Sequence, residues 1–226
     1  MGLTNVPTVP FSTGIVARPR IDRKAQLSRY EFYKRLMDLS LSLLALPFVL
    51  PVMAVCAIAL WIENPGPIVF AQQRTGRGGR RFRMYKLRSM YRNAEELKEK
   101  YRHLNELTWP DFKISNDPRV TRVGRFLRKT SLDELPQLFN VIKGDMSLVG
   151  PRPTSFDAGT YTLWHTERLE VPPGITGLWQ VNGRSDLEFD ERLRLDIEYI
   201  RRRSLWFDTK LIIQTVGAVL FPKGAY

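Results

Sequence analysis

The sequence predicts an α+β fold: a compact membrane-associated domain with a proline-broken re-entrant membrane helix and interfacial amphipathic helices. Three observations support this prediction: a long uncharged segment, short strand-like segments around a glycine- and arginine-rich turn, and several helical segments after them. The 226 residues carry a net charge of +12, which indicates anionic partners such as nucleic acid, anionic lipid or phosphorylated substrates. The single cysteine, Cys56, excludes an intramolecular disulfide framework and a cysteine-based zinc cluster.

The segment from Leu39 to Ile62 has no charged residue in 24 positions, which is long enough for a transmembrane helix. Pro47 and Pro51 interrupt its middle, and each removes a backbone donor and disfavours a straight helix. Each half would rise only about 15 Å, half the thickness of the hydrocarbon core. Basic residues flank both ends, so a helix that enters and returns to the cytoplasmic side is favoured. A kinked single span and a buried core helix are the alternatives.

The chain is expected to form three regions. They are an N-terminal leader (1–28), a re-entrant membrane helical hairpin (29–64) and a cytoplasmic catalytic domain with interfacial C-terminal helices (65–226). Within the last region, Pro67–Gln73 and Arg81–Leu87 are predicted to form short strands around a Gly/Arg turn.

Four helical segments are predicted in the remainder of the chain. An exposed charged helix covers residues 93–107, and a basic helix follows Asp117-Pro118. Another begins at Ser185, which has capping-box spacing with Glu188, and runs to about Arg203. The last segment, "LWFDTKLIIQTVGAVLF", contains Asp208 and Lys210, so we expect it to lie in the membrane interface rather than to span the membrane.

The stretch between Glu63 and Glu95 contains no acidic residue but has seven arginines and one lysine. Guanidinium groups beside flexible glycines can hold phosphate oxygens bidentately. A basic surface for anionic lipid headgroups explains the same charges equally well. The glycines complete neither a dinucleotide-binding fingerprint nor a Walker sequence.

An acidic pair, Asp133 and Glu134, interrupts the basic stretch "FLRKTSLDELPQL". Ser131 and Glu134 have capping-box spacing, while Asp133 as the cap would place Pro136 in the first turn, where proline is tolerated. Composition and spacing therefore favour a helix cap, with the helix dipole and nearby arginines keeping both carboxylates ionised. The same carboxylates could act as a nucleophile or as ligands of a hard metal such as Mg²⁺. Both interpretations can hold together.

The segments "KLRSM", "LRKTSLDELPQLFNVIKGDMSLVGPRP" and "PGITGLWQVNGRSDLEFDERLRLDIEYI" closely resemble the bacterial sugar transferases called monotopic phosphoglycosyl transferases, in their short form. The resemblance runs from about Tyr30 to about Val219. It implies transfer of a sugar-1-phosphate from a UDP-sugar to polyprenyl (undecaprenyl) phosphate with release of UMP, the initiating step of exopolysaccharide, O-antigen or related glycan synthesis. It also implies Mg²⁺ as cofactor and a location on the cytoplasmic face of the bacterial inner membrane.

The resemblance also implies roles for individual residues. Asp133 would attack the β-phosphorus and hold the phosphosugar covalently until polyprenyl phosphate displaces it. Glu134 would hold the metal with Asp133 or orient the nucleophile. The other motif residues expected to bind substrate are Lys86, Arg88, Arg128, Arg152, Arg184 and Asp196. The expected partners are the UDP-sugar, polyprenyl phosphate and the inner leaflet of the bilayer, with a homodimer allowed and no nucleic acid.

Two hypotheses of other classes remain alongside this one. The chain could be a non-catalytic basic membrane-bound scaffold for glycan assembly, or a nucleic-acid-binding regulator at the membrane. A regulator would account for the net charge and the arginine-rich hairpin. It would need neither the acidic pair nor a broken apolar helix.

Overall fold

The computed structural model describes residues 20–106, 114–157, 159, 163–182 and 189–220. Most of the predicted leader (1–28), the substrate-binding candidate Arg184 and the predicted helix start at Ser185 lie outside these ranges. The helices are α1 (Arg20–Glu63), α2 (Glu96–Lys100), α3 (Arg122–Lys129), α4 (Gln137–Lys143), α5 (Leu178–Asn182), α6 (Phe189–Arg202) and α7 (Leu205–Leu220). The strands are β1 (Val69–Thr75), β2 (Arg81–Leu87), β3 (Ser147–Val149) and β4 (Gly174–Thr176). The mixture of helices and strands confirms the α+β prediction.

Strands β1 and β2 form the predicted antiparallel hairpin, with Val69 opposite Leu87 and Thr75 opposite Arg81. The turn between them uses Gly78 and Gly79 in the left-handed region, at φ values of 63° and 79°, which glycine adopts without a steric penalty. The inward residues of β2 pack with the end of α4 and the residues after it. This buried cluster consists of Phe82, Met84, Val141 and Met146.

Strands β3 and β4 form a second, parallel pair that the sequence analysis did not predict. Their ends approach so closely that a Cβ atom on Gly174 would lie 2.1 Å from the backbone nitrogen of Gly150. Only glycine permits that approach. The pairing fixes the chain at Gly150, just before Arg152, and so positions that arginine relative to the body of the protein.

Helix α1 is helical throughout its length, including Pro47 and Pro51, so the predicted break at the prolines does not interrupt the helix. Cys56 and Leu60, near its C-terminal end, pack in one buried cluster with Leu87 of β2 and Leu127 of α3. Among the described residues it is one helix long and apolar enough to cross a membrane, by length and composition, and only 11% of its most apolar window is buried. Such low burial disfavours the alternative of a core helix.

The N-terminal end of α1 is tied to the same body by a buried polar network centred on Asp208. Its carboxylate accepts hydrogen bonds from Tyr30 (2.8 Å) and Tyr199 (2.7 Å) and pairs with Lys34 (3.0 Å). Asp208 is completely buried, so each of these donors compensates part of the cost of removing its charge from water. The network joins α1, α6 and α7.

Helix α7 is anchored on one side and apolar on the other. Asp208 and Leu211 are buried against the body, whereas Trp206, Ile213 and Val216 are exposed. An exposed apolar face on a docked helix is consistent with the predicted position in the membrane interface.

Two predicted helices differ from the structure. The segment 93–107 contains only the short α2 and a 3₁₀ helix at Arg102–Leu104. The basic helix begins at Arg122, so Arg119 does not belong to it. Instead Arg119 is buried in a local ion pair with Asp117 at 2.7 Å, and it also donates to the backbone carbonyl of Ala94 at 3.3 Å, a tertiary contact.

Candidate active site

The acidic pair lies in a 3₁₀ helix, Leu132–Glu134, between α3 and α4. The helix-cap prediction was wrong: Ser131 makes no capping hydrogen bond, and Pro136 rather than Asp133 occupies the N-cap of α4. Ser131 is instead left-handed, at φ 58°, and is the only non-glycine residue with positive φ in the described part of the chain. Such a conformation costs about 1 to 2 kcal/mol, and it turns the chain so that the pair faces β2 and α3.

Glu134 is held by two cations from distant parts of the chain. Lys86 Nζ lies 2.7 Å from its Oε1, and Arg152 donates from Nη1 to Oε2 (3.2 Å) and from Nη2 to Oε1. Burial would raise the pKa of Glu134, but Arg152 and Lys86 outweigh it and hold that pKa well below its usual value. Glu134 is therefore ionised, as expected, and it fixes the positions of both cations.

Asp133 has a different environment from its neighbour. Its side chain is buried, with 6% of the residue exposed, and it forms no hydrogen bond or ion pair with any residue that the structure describes. Burial raises the pKa of Asp133, the charge of Glu134 adds to the effect, and Lys86, Arg128 and Arg152 oppose it. Desolvation is thus the larger influence on this carboxyl group, and the nearby cations oppose it.

Three of the predicted phosphate-binding cations gather around the pair. Lys86 and Arg152 contact Glu134, and Arg128 is held by a hydrogen bond from its Nε to Ser89 Oγ at 2.8 Å. Arg128 is close enough to Asp133 for the two charges to influence each other's pKa. An unpaired carboxylate beside three cations can meet a negatively charged substrate without prohibitive repulsion.

The structure does not bring Arg88 into contact with the pair. Its guanidinium is buried and donates to the backbone carbonyl of Asn64, just after α1 ends. The observed contact therefore connects the strand that carries Lys86 to the end of the apolar helix. A substrate-binding role for Arg88 has no direct geometric support here.

Asp196 reaches the site through an arginine that the sequence analysis missed. Arg168 Nη2 lies 2.6 Å from Asp196 Oδ2 and also 2.6 Å from the backbone carbonyl of Arg152. Burial raises the pKa of Asp196 to about 6, with Arg168 and Arg192 opposing the shift. Arg168 lies in a 3₁₀ helix, where no charge pattern or motif identified it.

A cavity of about 150 Å³ adjoins the Arg152 side of the site. Its lining includes Asp196 and consists largely of arginines and aromatic residues. These include Arg74, Arg152, Arg168, Arg192, Trp179 and Phe189. The guanidinium of Arg192 lies over the ring of Trp179, with its Cζ 5.6 Å from the ring centroid, a distance typical of a cation–π contact.

Asn140 is a second residue whose importance only the tertiary structure reveals. Its fully buried amide accepts from the backbone nitrogen of Tyr85 (3.0 Å) and donates to the carbonyl of Arg83 (2.7 Å). These two bonds attach α4 to β2. They consequently set the position of Lys86 relative to the acidic pair.

Asp133 and Glu134 differ in how well they could coordinate the expected Mg²⁺. No group of three or more His, Cys, Asp or Glu side chains suited to a metal occurs among the described residues. Mg²⁺ usually takes only one or two protein carboxylates and completes its shell with water and substrate phosphates. Asp133, whose oxygens have no partner among the residues that the structure describes, fits that requirement. Glu134 fits it less well, because Lys86 and Arg152 already occupy its oxygens.

The sequence of the chain is similar to those of known bacterial sugar transferases. Residues 29–222 match the profile of the family described as bacterial sugar transferase. A galactosyl transferase, CpsE, of Streptococcus agalactiae is 44% identical over 194 residues, 85% of this chain and 43% of its own length. The undecaprenyl-phosphate galactose phosphotransferase of Salmonella typhimurium is 45% identical over 215 residues, 92% of this chain and 44% of its own. The exopolysaccharide production protein ExoY of Rhizobium meliloti is 36% identical, covering 85% of this chain and 88% of its own. The chain thus spans less than half the length of the first two relatives.

Proposed function

The chain belongs to the bacterial sugar transferase family, and we propose from this premise that it transfers a sugar-1-phosphate from a UDP-sugar to polyprenyl (undecaprenyl) phosphate. UMP would be released, and the product would start an exopolysaccharide, O-antigen or related glycan. The observation that carries the proposal is Asp133, a buried carboxylate that has no partner in the described part of the chain and lies beside Lys86, Arg128 and Arg152. Relatives named as undecaprenyl-phosphate phosphotransferases for galactose and glucose support the class of reaction.

The proposed reaction has two steps, both at the β-phosphorus of the donor. In the first, a carboxylate oxygen of Asp133 bonds to the phosphorus, and the bond from that phosphorus to the bridging oxygen breaks. UMP leaves with that oxygen and its electron pair. In the second, a phosphate oxygen of the polyprenyl phosphate bonds to the same phosphorus, which releases Asp133 as a carboxylate. Splitting the transfer lets two bulky anions use the site in turn.

Charge decides whether the first step can occur, because a carboxylate and a diphosphate repel each other. Lys86 and Arg152 each retain N–H groups that Glu134 does not use, since an ammonium has three donors and a guanidinium five. These donors and those of Arg128 would bind the phosphate oxygens and stabilise the charge that moves to the leaving UMP. Glu134 acts as a positioning residue in this scheme.

Mg²⁺ is the cofactor we propose, with Asp133 as its protein ligand and Glu134 as a weaker candidate. When bound, the ion would neutralise negative charge on the diphosphate. The chain's own contribution remains the cluster of three cations and the free carboxylate.

The lipid acceptor requires the site to lie at a membrane surface, and helix α1 supports that position. Both of its ends pack against the same body, through Lys34 and Asp208 at one end and Leu60 and Leu127 at the other. Between them Leu44, Phe48 and Val52 are exposed. Attachment of both ends to one body supports a re-entrant helix, which we propose inserts from the cytoplasmic face of the inner membrane and bends near Pro47 and Pro51 without a break in the helix.

The test measures UMP release by the detergent-purified chain with a panel of UDP-sugars, undecaprenyl phosphate and Mg²⁺. We expect release with one or two sugars, no release from Asp133→Asn or in EDTA, and full release from Glu99→Gln. Glu99 is an exposed carboxylate on α2 that pairs only with Arg102 in the described structure, so it controls for the loss of a charge.

A covalent intermediate can be sought separately. With UDP-sugar alone, intact mass spectrometry should detect one phosphosugar on the wild-type chain and none on Asp133→Asn. If both proteins are folded and membrane-bound but neither releases UMP with any sugar, the transferase proposal fails. The scaffold or nucleic-acid-binding regulator would then be the better account.

A further inference from the structure

A second and larger cavity, of about 700 Å³, lies between the N-terminal end of α1 and the junction of α6 with α7. Its lining includes Leu27, Tyr30, Glu170, Arg203, Ser204 and Leu205. None of its lining residues also lines the cavity beside Arg152 and Asp196. The proposed sugar-phosphate transfer assigns it no role.

Arg203 lines this cavity and has buried donor atoms without a partner among the described residues. Its Nε and Nη1 atoms are buried, and it forms no hydrogen bond or ion pair with the part of the chain that the structure describes. Its guanidinium carbon lies 5.9 Å from the centroid of the Tyr30 ring. By contrast, Arg201 pairs with Glu167 at 3.2 Å. Burying an unpaired guanidinium is costly, so an external anion would complete this site.

The cavity also contains an unmatched carboxylate and further donors. Glu170 forms no ion pair with any described residue. Ser204 Oγ accepts from the backbone nitrogen of Phe207 at 3.2 Å, which leaves its own hydroxyl proton available. Ser204 precedes the 16-residue helix α7, whose first N–H groups have no acceptor within the helix. One unpaired cation and one unpaired anion therefore face a single space.

The surroundings of the cavity are those of a membrane surface. Leu27 is the first residue of the segment apolar enough to cross a membrane. Three exposed aromatic side chains lie near the cavity in sequence, Phe32, Tyr33 and Trp206, of which Trp206 is 78% exposed. Aromatic residues of this kind are typical of the headgroup level of a bilayer.

We propose that the cavity binds the headgroup of a zwitterionic aminophospholipid. Arg203, with Ser204 and the start of α7, would hold the phosphodiester by charge-assisted hydrogen bonds. Glu170 would hold the primary ammonium, and Leu27 and Leu205 would contact the glycerol region. A headgroup with one positive and one negative group matches the two unpaired charges. Polyprenyl phosphate has no ammonium, so this site is distinct from that of the acceptor.

Binding is measured on the full chain in detergent, by native mass spectrometry with phosphatidylethanolamine, phosphatidylglycerol or phosphatidylcholine added. We expect phosphatidylethanolamine to be retained by the wild type and to bind about tenfold or more weakly to Arg203→Gln, since a hydrogen-bonded charge is lost. Arg202→Gln is the matched control: Arg202 is the adjacent residue, exposed, paired with Glu198 at 2.5 Å, and not in the cavity lining.

Glu170→Gln tests the class of lipid. It should remove the preference for phosphatidylethanolamine over phosphatidylglycerol while leaving Arg203-dependent binding of both.

Equal retention of phosphatidylethanolamine by wild type and Arg203→Gln overturns the proposed site. Equal retention of all three lipids by the wild type overturns the aminophospholipid class. Thermal unfolding of each variant without added lipid separates loss of binding from loss of folding. Because the readout is lipid retention and not UMP release, its failure would leave the proposed transferase activity untouched.

Discussion

The carboxylates of Asp133 and Glu134 are adjacent in the chain but have opposite environments. Glu134 is paired with Lys86 at 2.7 Å and with Arg152, and these cations keep its pKa low. Asp133 has no such partner among the described residues, and burial raises its pKa. Pairs of titratable groups whose environments separate their pKa values are typical of active sites. In the proposed reaction, this difference corresponds to Glu134 as the positioning residue and Asp133 as the nucleophile.

Replacing Glu134 by Gln is expected to reduce UMP release about 100-fold, because Lys86 and Arg152 lose the group that positions them. The pH profile of kcat/KM should also move as a whole toward acid. The charge of Glu134 raises the pKa of both Asp133 and Lys86, so its removal lowers both. If the acidic and basic limbs of the kcat/KM profile stay at the same pH, or move toward alkaline pH, the proposed role of Glu134 is wrong. Glu99→Gln again serves as control.

Asp196 should make stability depend on pH in a recognisable direction. Burial raises the pKa of Asp196 from 3.8 in the unfolded chain to about 6 in the folded one. Between pH 3.8 and about pH 6 the folded state therefore binds more protons than the unfolded state. The stability that protonated Asp196 contributes is complete below pH 3.8 and is lost as pH rises through 6. Ionisation at pH 7 costs up to about 3 kcal/mol.

The measurement compares thermal unfolding of wild type and Asp196→Asn between pH 7.5 and pH 5. On acidification the wild type should gain stability relative to the variant, because asparagine cannot take up the proton. Titrations shared by the two proteins cancel in the comparison. A difference that stays constant across the range would show that Asp196 has an ordinary pKa.

Arg168 is expected to act as a positioning residue for Arg152, and Arg168→Lys separates this role from stability. Lysine can keep the ion pair with Asp196, but Arg168 reaches both Asp196 and the Arg152 carbonyl from one nitrogen, Nη2, at 2.6 Å each. The shorter and more flexible lysine stem does not fix its ammonium at that point. Thermal unfolding should change little while kcat falls about tenfold or more. Arg168→Gln should reduce both kcat and stability. The free energy of unfolding should fall by about 3 to 5 kcal/mol, because Asp196 stays buried without its partner. Equal losses in the two variants would indicate a purely structural role.

Asp208→Asn should destabilise the attachment of α1 to the body by about 3 to 5 kcal/mol, because Lys34 would remain buried without its counter-charge. Chemical denaturation in detergent measures the loss. Asp190→Asn is the control, since Asp190 is a largely exposed carboxylate. If the two substitutions have the same small effect, the network does not hold the helix in place.

The hairpin β1–β2 and the basic and C-terminal helices could be predicted because their signals are local. The first four residues of β2 alternate exposed and buried side chains, and a glycine turn joins β2 to β1, so neighbouring residues carry the information. The strands β3 and β4 have three residues each and pair across a long separation. Their pairing depends on the close approach of Gly150 and Gly174, for which the surrounding sequence carries no periodic signal.

The sequence by itself determined that an uncharged, proline-containing helix and an acidic pair occur in a basic chain, and its motifs identified Lys86, Arg128 and Arg152. The tertiary structure alone decided that Glu134 is the paired carboxylate and Asp133 the unpaired one. Lys86 and Arg152 are 48 and 18 residues from Glu134, and their approach depends on how α4 and β3 pack against β2. Periodicity is a property of neighbouring residues, whereas desolvation and ion pairing arise only when distant segments exclude water together.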